Sequence, residues 1–493
     1  MYIGLDFGTT NSGAAVFDGE RVHVLPLDPA NQDPTVLRST LYIARDHQVS
    51  IGREAVDAYY QQNIGRPSRM VRQYVGEIEM TFAEIGTFVK DVYVLVDKLT
   101  PGRLLRSLKG GLATGYEGTT IFGRYYELEE LIALYLREVR QRVEETTGQA
   151  VEGVVLGRPV HFAGGNSEAD DQRAEDRLRR AASMAGFRQV AFELEPVAAA
   201  LHYELHSEPV RRGGRPQNVV IFDFGGGTLD ITVMRIGSTS AGARANSFAR
   251  KVFATGGVGI AGDVFDRRII QELLLEHFGR GTTVRMDLGS SCERMRSPTE
   301  RQGATKETRF LPETGFLGRK VPFPDPYTDA LVNWQTVLEL NRPDTLHFFE
   351  LAQIGGSHPA RVRALESLVI NNAAIRLFDE IERAKIAISD AHFAVIRLTD
   401  EDIHLWQPLT RSQFESLIAG ETQRIEACLL DTLSRSGLQM DEIDAVVRTG
   451  GSAQIPCFIQ MLERIFGPQK VTLSDVFSSV TSGLAIRACR GNS

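Results

Sequence analysis

The stretch GLDFGTTNSGAAV, Gly4 to Val16, stands at the start of the chain, and IFDFGGGTLDITV, Ile221 to Val233, stands near its middle. Laid over each other, both read as apolar residues, then Asp-Phe-Gly, then a Gly/Thr run, then another apolar segment. The apolar approach reads as a buried strand that runs directly into a glycine turn. Such a turn can bring backbone N–H groups up to phosphate oxygens, because glycine lacks the Cβ that would block them. Thr9, Thr10 and Thr228 add hydroxyl donors, and Asp6 and Asp223 at the strand ends are placed to hold Mg²⁺ directly or through its waters. One such turn is common in hairpins. Two, from matching positions of two halves, can face each other across a cleft and clasp a polyphosphate from both sides.

The surroundings repeat the plan. MYIGLDFG reads as a strand and SGAAVFDGERVHVLPL as its hairpin continuation, turned at Asp18-Gly19. RYYELEELIALYLREVRQRVEETTG predicts an amphipathic helix ending at Gly148. VEGVVLGRPVHF follows as a strand, EADDQRAEDRLRRAASMAGF as a charged helix, and VAFELEPVAAALHYEL as a short strand breaking into a helix. The polar, Gly- and Pro-rich HSEPVRRGGRPQ, residues 206–217, marks a lobe boundary. Beyond it come a strand–turn–strand at 219–236, helices at 263–278, near 362–390 and at 411–435, and then a strand, Gly turn and helix in IDAVVRTGGSAQIPCFIQMLERIF. The Gly-, Pro-, Arg- and Thr-rich stretch between Phe278 and about Pro359 reads as an irregular insertion. The expected architecture is a duplicated α/β fold: a first lobe over 1–205, the boundary loop, and a second lobe over 218–493 with an insertion at about 279–360.

Bulk properties and rival motifs narrow the function. A net charge of -8 in 493 residues gives no general attraction to nucleic acid or anionic lipid, and the short basic loop RRGGR, Arg211 to Arg215, is too isolated to change that. Cys292, Cys428, Cys457 and Cys489 form no CxxC pair, so buried reduced thiols are expected rather than a zinc or disulfide framework. His161, His202 and His206 are scattered and read as packing or solvated residues, and Trp334 and Trp406 as packing residues. There is no basic leader, nor any apolar run near the roughly 20 residues of a membrane span, so a cytoplasmic protein is expected. No GxxxxGK[ST] occurs. GVGIAG, Gly257 to Gly262, matches a dinucleotide fingerprint in form, but no acid-tipped strand follows it. Its glycines, Gly257 among them, are expected to bring a third loop to the same phosphates.

Together these pieces resemble the nucleotide-binding domain of the heat shock protein 70 (DnaK-type) family, in the actin/sugar-kinase superfamily. GLDFGTTNS looks like its first phosphate motif, with Gly8 and Asn11 flanking the threonines, and FDFGGGTLDIT like its second. ELEPVAAALHY is similar to the connecting segment, EIERAKIAIS to the adenosine helix, and VVRTGGSAQIP to the second adenosine-side motif. The resemblance implies a duplicated actin-like ATPase fold, two lobes around a cleft for ATP or ADP and Mg²⁺. It implies that Asp6 and Asp223 hold the metal through water and that Gly225, Gly226 and Gly227 line the phosphates. Thr228 would sit by the γ-phosphate, Glu195 and Asp230 near the attacking water, and Glu382, Lys385, Ser389, Gly450, Gly451 and Ser452 on the nucleoside. A lysine of the first lobe would face the γ-phosphate. Lys109 in LRSLKGGL is the candidate, with Arg69 and Arg72 in RPSRMVRQY competing.

The chain also departs from that pattern. Chaperones of the family continue into a peptide-gripping β-sandwich and a helical lid, and here the sequence closes on SSVTSGLAIRACRGNS at Ser493, into which neither is expected to fit. The expectation is a member lacking the substrate-binding domain, most similar to the YegD-like branch. Gln454 stands where the family usually has Arg beside the adenine, and Ile386 replaces a residue that is often basic. The reading is a slowly hydrolysing chaperone-type ATPase, to which the family would add an exchange factor, a J-protein or a client protein as partners. The alternatives are a nucleotide-gated binding module or filament former, and a small-molecule kinase, for which no Asp base stands out.

Overall fold

Two sheets of one plan carry the two Asp-Phe-Gly turns. The first is built from β1 (Tyr2–Phe7), β2 (Asn11–Phe17), β3 (Val22–Val24), β4 (Gly153–Arg158) and β5 (Gln189–Leu194), in the order β5-β4-β1-β2-β3, with Leu37–Arg38 added against β2. The second is built from β6 (Gln217–Phe224), β7 (Leu229–Ile236), β8 (Lys251–Val258), β9 (Ala445–Thr449) and β10 (Val471–Leu473), in the order β10-β9-β6-β7-β8. In both, the central strand pairs antiparallel with the next strand in the chain and parallel with the fourth. The duplication therefore extends past the turn to the whole sheet. The computed structural model describes residues 1–63, 70–82, 86–97, 99–165, 167–206, 215–237, 251–286, 319–474 and 478–490.

Local signals place the helices. In α1 (Leu128–Thr147), Glu127 N–H donates to Glu130 Oε2 at 2.9 Å, and Gly148, at φ 68°, ends the last turn as its spacing predicts. Leu131, Ile132, Tyr135, Leu136, Val139 and Val143 form its buried face against the first sheet. Ser167 caps α2 (Glu168–Met184) by accepting from Asp170 N–H at 3.2 Å. After β5 the chain turns straight into α3 (Glu195–His206), and after β10 it reaches α8 (Ser479–Arg490). These two helices cross, with Gly483 laid on the backbone of Ala198, and Gly4 of β1 lies on the backbone of Leu484 and Ala485. Ala198, Ala199 and Ala200 join Val219, Ile221, Met234, Val480 and Leu484 in one buried cluster. The closing helix of the second half thus packs on the first sheet, while that of the first half packs on the second.

Further helices include Gly52–Asn63, α4 (Gly262–Ile269), α5 (Ala374–Asp390), α6 (Ala419–Ser436) and α7 (Pro456–Phe466). Several expectations are corrected. The helix expected near 362–390 is two, Pro359–Ile370 and α5, broken where Asn372 takes φ 52°, a left-handed value that asparagine tolerates. The one at 411–435 is also two, Arg411–Leu417 and α6, and the one at 263–278 passes from α into π and 3₁₀ turns after Ile269. Within the supposedly irregular insertion, Thr283–Met286 pairs with Arg319–Pro322, and helices Asp325–Asp329, Trp334–Glu339 and Pro343–Gly355 follow. There Phe323, Tyr327, Phe348 and Phe349 form an aromatic cluster. Residues 287–318, with Cys292, and 207–214 of the expected lobe boundary lie outside the described residues. Trp406 is 56% exposed rather than packed. Cys428, Cys457 and Cys489 form no disulfide, but the first two are only half-buried and the third is exposed.

By contact density the chain gathers into two units: Met1–Ile64, Thr100–Phe265 and Arg411–Ser493 in the first, Gly65–Leu99 and Asp266–Thr410 in the second. Both duplicated sheets belong to the first unit. Among the described residues, no helix is long and apolar enough to cross a membrane.

Candidate functional site

The two Gly/Thr turns meet. A Cβ on Gly226 would strike the Thr10 hydroxyl, and one on Gly227 would come to 2.8 Å from Thr9 Oγ1, so only glycine fits at either place. The second turn is closed by Gly225 N–H donating to the Thr228 carbonyl at 3.2 Å. Ser452 Oγ donates to the Gly225 carbonyl at 2.8 Å, and Gly450, at φ 85°, presses against the Phe224 carbonyl where a side chain would collide. The GGS motif after β9 is thereby fastened to the turn after β6. Gly451 and Gln454 are exposed. Gly8 curls against the carbonyl of Asn11, the first residue of β2.

Gly257 sits differently from its expected loop. It lies inside β8, opposite Asp230, and a Cβ there would meet Asp230 Oδ1 at 3.3 Å. The residue is small because a strand passes close to a carboxylate, not because the backbone turns. The turn comes at residues 259–261, after which Asp263 N–H donates to the Gly226 carbonyl at 3.2 Å.

Beside the turns lies a knot of charge. Asp6 ends β1, and Asp223 ends β6 directly opposite Asp230 on β7, where the first sheet has Gly13 opposite Asp6. Asp230 accepts from Val160 N–H at 2.8 Å and from Thr228 Oγ1 at 3.0 Å. Lys109, in the 3₁₀ turn Leu108–Gly111, donates to Glu195 Oε1 at 2.5 Å, and both side chains are buried. Burial, then the charge of Glu195, pushes the Asp6 carboxyl up to about 7. Asp230 is likewise pushed up to about 7, and Asp223 well above the carboxylate range, each by burial first and neighbouring carboxylates second. Burial works against the charge on Lys109, yet Glu195, Asp6 and Asp230 outweigh it and hold the ammonium above its ordinary value. One lysine does not offset this many buried acids. Hard oxygen donors in excess of their counter-charge are of the kind a divalent cation neutralises through its waters, although among the described residues no three of them stand close enough to hold one directly.

A clamp that sequence reasoning missed holds the lysine's loop. Arg177 of α2 donates to the carbonyls of Gly111 at 3.3 Å, Leu112 at 3.2 Å and Tyr116 at 2.8 Å, and pairs with Glu129 at 3.0 Å. Burial opposes the Glu129 charge, but the Arg177 hydrogen bond wins and holds its carboxyl below the usual value. Arg177→Ala is expected to cost about 3–5 kcal/mol of stability, since it strands a buried carboxylate. Thermal melts would show this, with the loss shrinking below about pH 4.5 as Glu129 takes up a proton. Little in the sequence could have found the clamp, because arginines are common along α2.

Among the nucleoside-side candidates, Glu382, Lys385 and Ser389 lie on α5 in the second unit. Lys385 pairs with Asp266 at 2.5 Å, and Ser389 Oγ donates to the Lys385 carbonyl at 3.1 Å. Ile386 is exposed. Arg69 and the side chain of Arg72 lie outside the described residues.

A family model described as Hsp70 protein matches residues 2–303 and 365–489. The chain is 26% identical over 490 residues to the chaperone protein dnaK3 of Synechococcus elongatus, covering 99% of this chain and 49% of that one. It is 24% identical over 497 residues to the chaperone protein DnaK of Thermus thermophilus, with 99% and 60% covered. The chain thus spans about half the length of the curated relatives it matches. The two matched sheets carry an actin-like ATPase fold, and the chain belongs to the Hsp70 family.

Proposed function

We propose that this chain binds Mg-ATP between its two glycine turns and hydrolyses it slowly, as the ATPase module of a chaperone-type machine. The observation that supports this best is the meeting of Thr9 and Thr10 with Gly226 and Gly227 beside the Lys109–Glu195 pair, the buried Asp223 and Asp230, and the half-buried Asp6. Phosphoryl transfer asks for positioning and charge neutralisation more than for covalent help. The backbone of the turns and the hydroxyls of Thr9, Thr10 and Thr228 hold phosphate oxygens, and Lys109 leaves Glu195 in part to face the terminal phosphate. Asp6 and Asp223 hold Mg²⁺ through its waters, while Glu195 and Asp230 orient the hydrolytic water. Gly450, Gly451 and Ser452 form the nucleoside side within the first unit.

The relatives are chaperones by name, so a client protein, an exchange factor and a J-protein are the partner classes to test. The described strands are spent on the two duplicated sheets and on small sheets of two or three strands. That supports a module acting without a peptide-gripping sandwich of its own within these residues.

Asp223→Asn is expected to slow phosphate release by about 10²-fold, the scale of losing one preorganised electrostatic element, and chelation with EDTA should abolish release. Both are read by single-turnover assay with no added acceptor. Release that needs an added sugar would point to a kinase, and tight nucleotide uptake without turnover to a gated module.

A further inference from the structure

The loop after β4 brings an imidazole to the corner where Asp230 and Thr228 sit. His161 Nδ1 lies 2.8 Å from Asp171 Oδ2, and the other oxygen of Asp171 accepts from Phe162 N–H at 2.8 Å. An ionised carboxylate only accepts, so Nδ1 carries the proton and the neutral ring keeps its lone pair on Nε2. Among the described residues, Nε2 has no hydrogen-bond partner, and the His161 side chain is 57% exposed. Its Cδ2, the carbon bonded to Nε2, lies 3.7 Å from the space a Gly257 side chain would fill, and Asp230 Oδ1 lies 3.3 Å from that same space.

Two of the carboxylates at this corner already have partners. Asp230 accepts from Val160 N–H through one oxygen and from the Thr228 hydroxyl through the other. Glu195 Oε1 holds Lys109. The remaining lone pair, on an imidazole oriented by a carboxylate, has the arrangement of a general base. With glycine at 257, no side chain stands between His161 and Asp230.

We propose that His161, held in its tautomer by Asp171, accepts the proton of the hydrolytic water. This rests on the ATPase reading above. In the step, the water oxygen bonds to the γ-phosphorus as the bond from that phosphorus to the β,γ-bridging oxygen breaks. The bridging oxygen keeps the electron pair and leaves with ADP. The water proton passes to Nε2 and is then released to solvent, giving ADP, phosphate and a proton.

Four measurements test it. Calorimetry with Mg-ATP on the wild type decides the ATPase reading first, and no uptake sinks that reading whatever His161 does. With uptake shown, His161→Ala should bind Mg-ATP as the wild type does and release phosphate about 10²-fold more slowly, and added imidazole should restore part of the rate. Unchanged turnover in a folded His161→Ala overturns the base role and leaves nucleotide binding standing. A slowed variant that imidazole fails to rescue assigns His161 a structural part and also overturns it. Nitrogen-15 spectra of the histidine rings in the wild type should show His161 protonated on Nδ1, with Asp171→Asn disturbing that state. A proton on Nε2 instead rules the base out even if the alanine variant does not fold.

Discussion

Lys109→Met is expected to lower phosphate release by about 10²–10³-fold, the loss found when a preorganised charge aimed at developing negative charge is removed. The methionine keeps the length of the stem in the loop clamped by Arg177 and removes only the ammonium. Nucleotide affinity should fall less than the rate, because the backbone of the two turns is untouched. Stability should fall as well, by about 3–5 kcal/mol in metal-free buffer near pH 8, as for a buried ion pair that loses one partner. The sign of the pH dependence follows from the acids left behind. Asp230 is already pushed up to about 7 against an ordinary 3.8, so its folded form binds a proton that the unfolded chain has given up. The stability this contributes is present below the ordinary value and is lost as pH rises through about 7. The variant has lost a positive charge that opposed this shift, so its deficit should shrink between pH 8 and pH 6. Denaturant midpoints across that range, together with single-turnover rates, check both halves, and a deficit that grows on acidification would contradict the charge arrangement described.

Gly483→Val is the second large effect expected. A Cβ at residue 483 would fall on the Ala198 carbonyl, a backbone atom with no rotamer to yield, at the crossing of α3 and α8. Overpacking of this kind costs about 3 kcal/mol or more, since one helix must shift bodily. The consequence reaches the chemistry because Ala198 lies one turn after Glu195, the residue that holds Lys109. Urea midpoints should drop sharply, and any folded fraction should hydrolyse ATP poorly. A Gly420→Val control, placed where a Cβ meets open space, should leave the activity near wild type at a modest cost in helix stability.

The glycine turns, the end of α1 at Gly148 and the strand-to-helix break at Glu195 were legible because each is written within a few residues, whereas Arg124–Glu127, read as the start of α1, is a strand paired with Gly118–Ile121. Glycine at a position no Cβ can occupy, apolar periodicity and a cap residue all act locally. The same locality misled where Gly257 was read as part of a loop. There the small residues answer to partners from elsewhere in the chain: Thr432 of α6 crowds Gly256, and Asp230 crowds Gly257. The packing of Trp406 was misjudged for a related reason, since it faces outward on the two-stranded hairpin Phe393–Thr399 with His404–Thr410.

By itself, then, the sequence determined that two acid-tipped glycine turns open two α/β halves, and it supplied the motifs on which the proposed polyphosphate ligand rests. Only the tertiary structure decided that the turns meet through Thr9, Thr10, Gly226 and Gly227, that Lys109 meets Glu195, that Arg177 pins the lysine's loop, and that Asp171 holds His161. Those contacts join residues far apart in the chain. Strand order and helix crossing set them, and both come from burying the apolar faces of whole sheets together, which no short stretch of residues encodes.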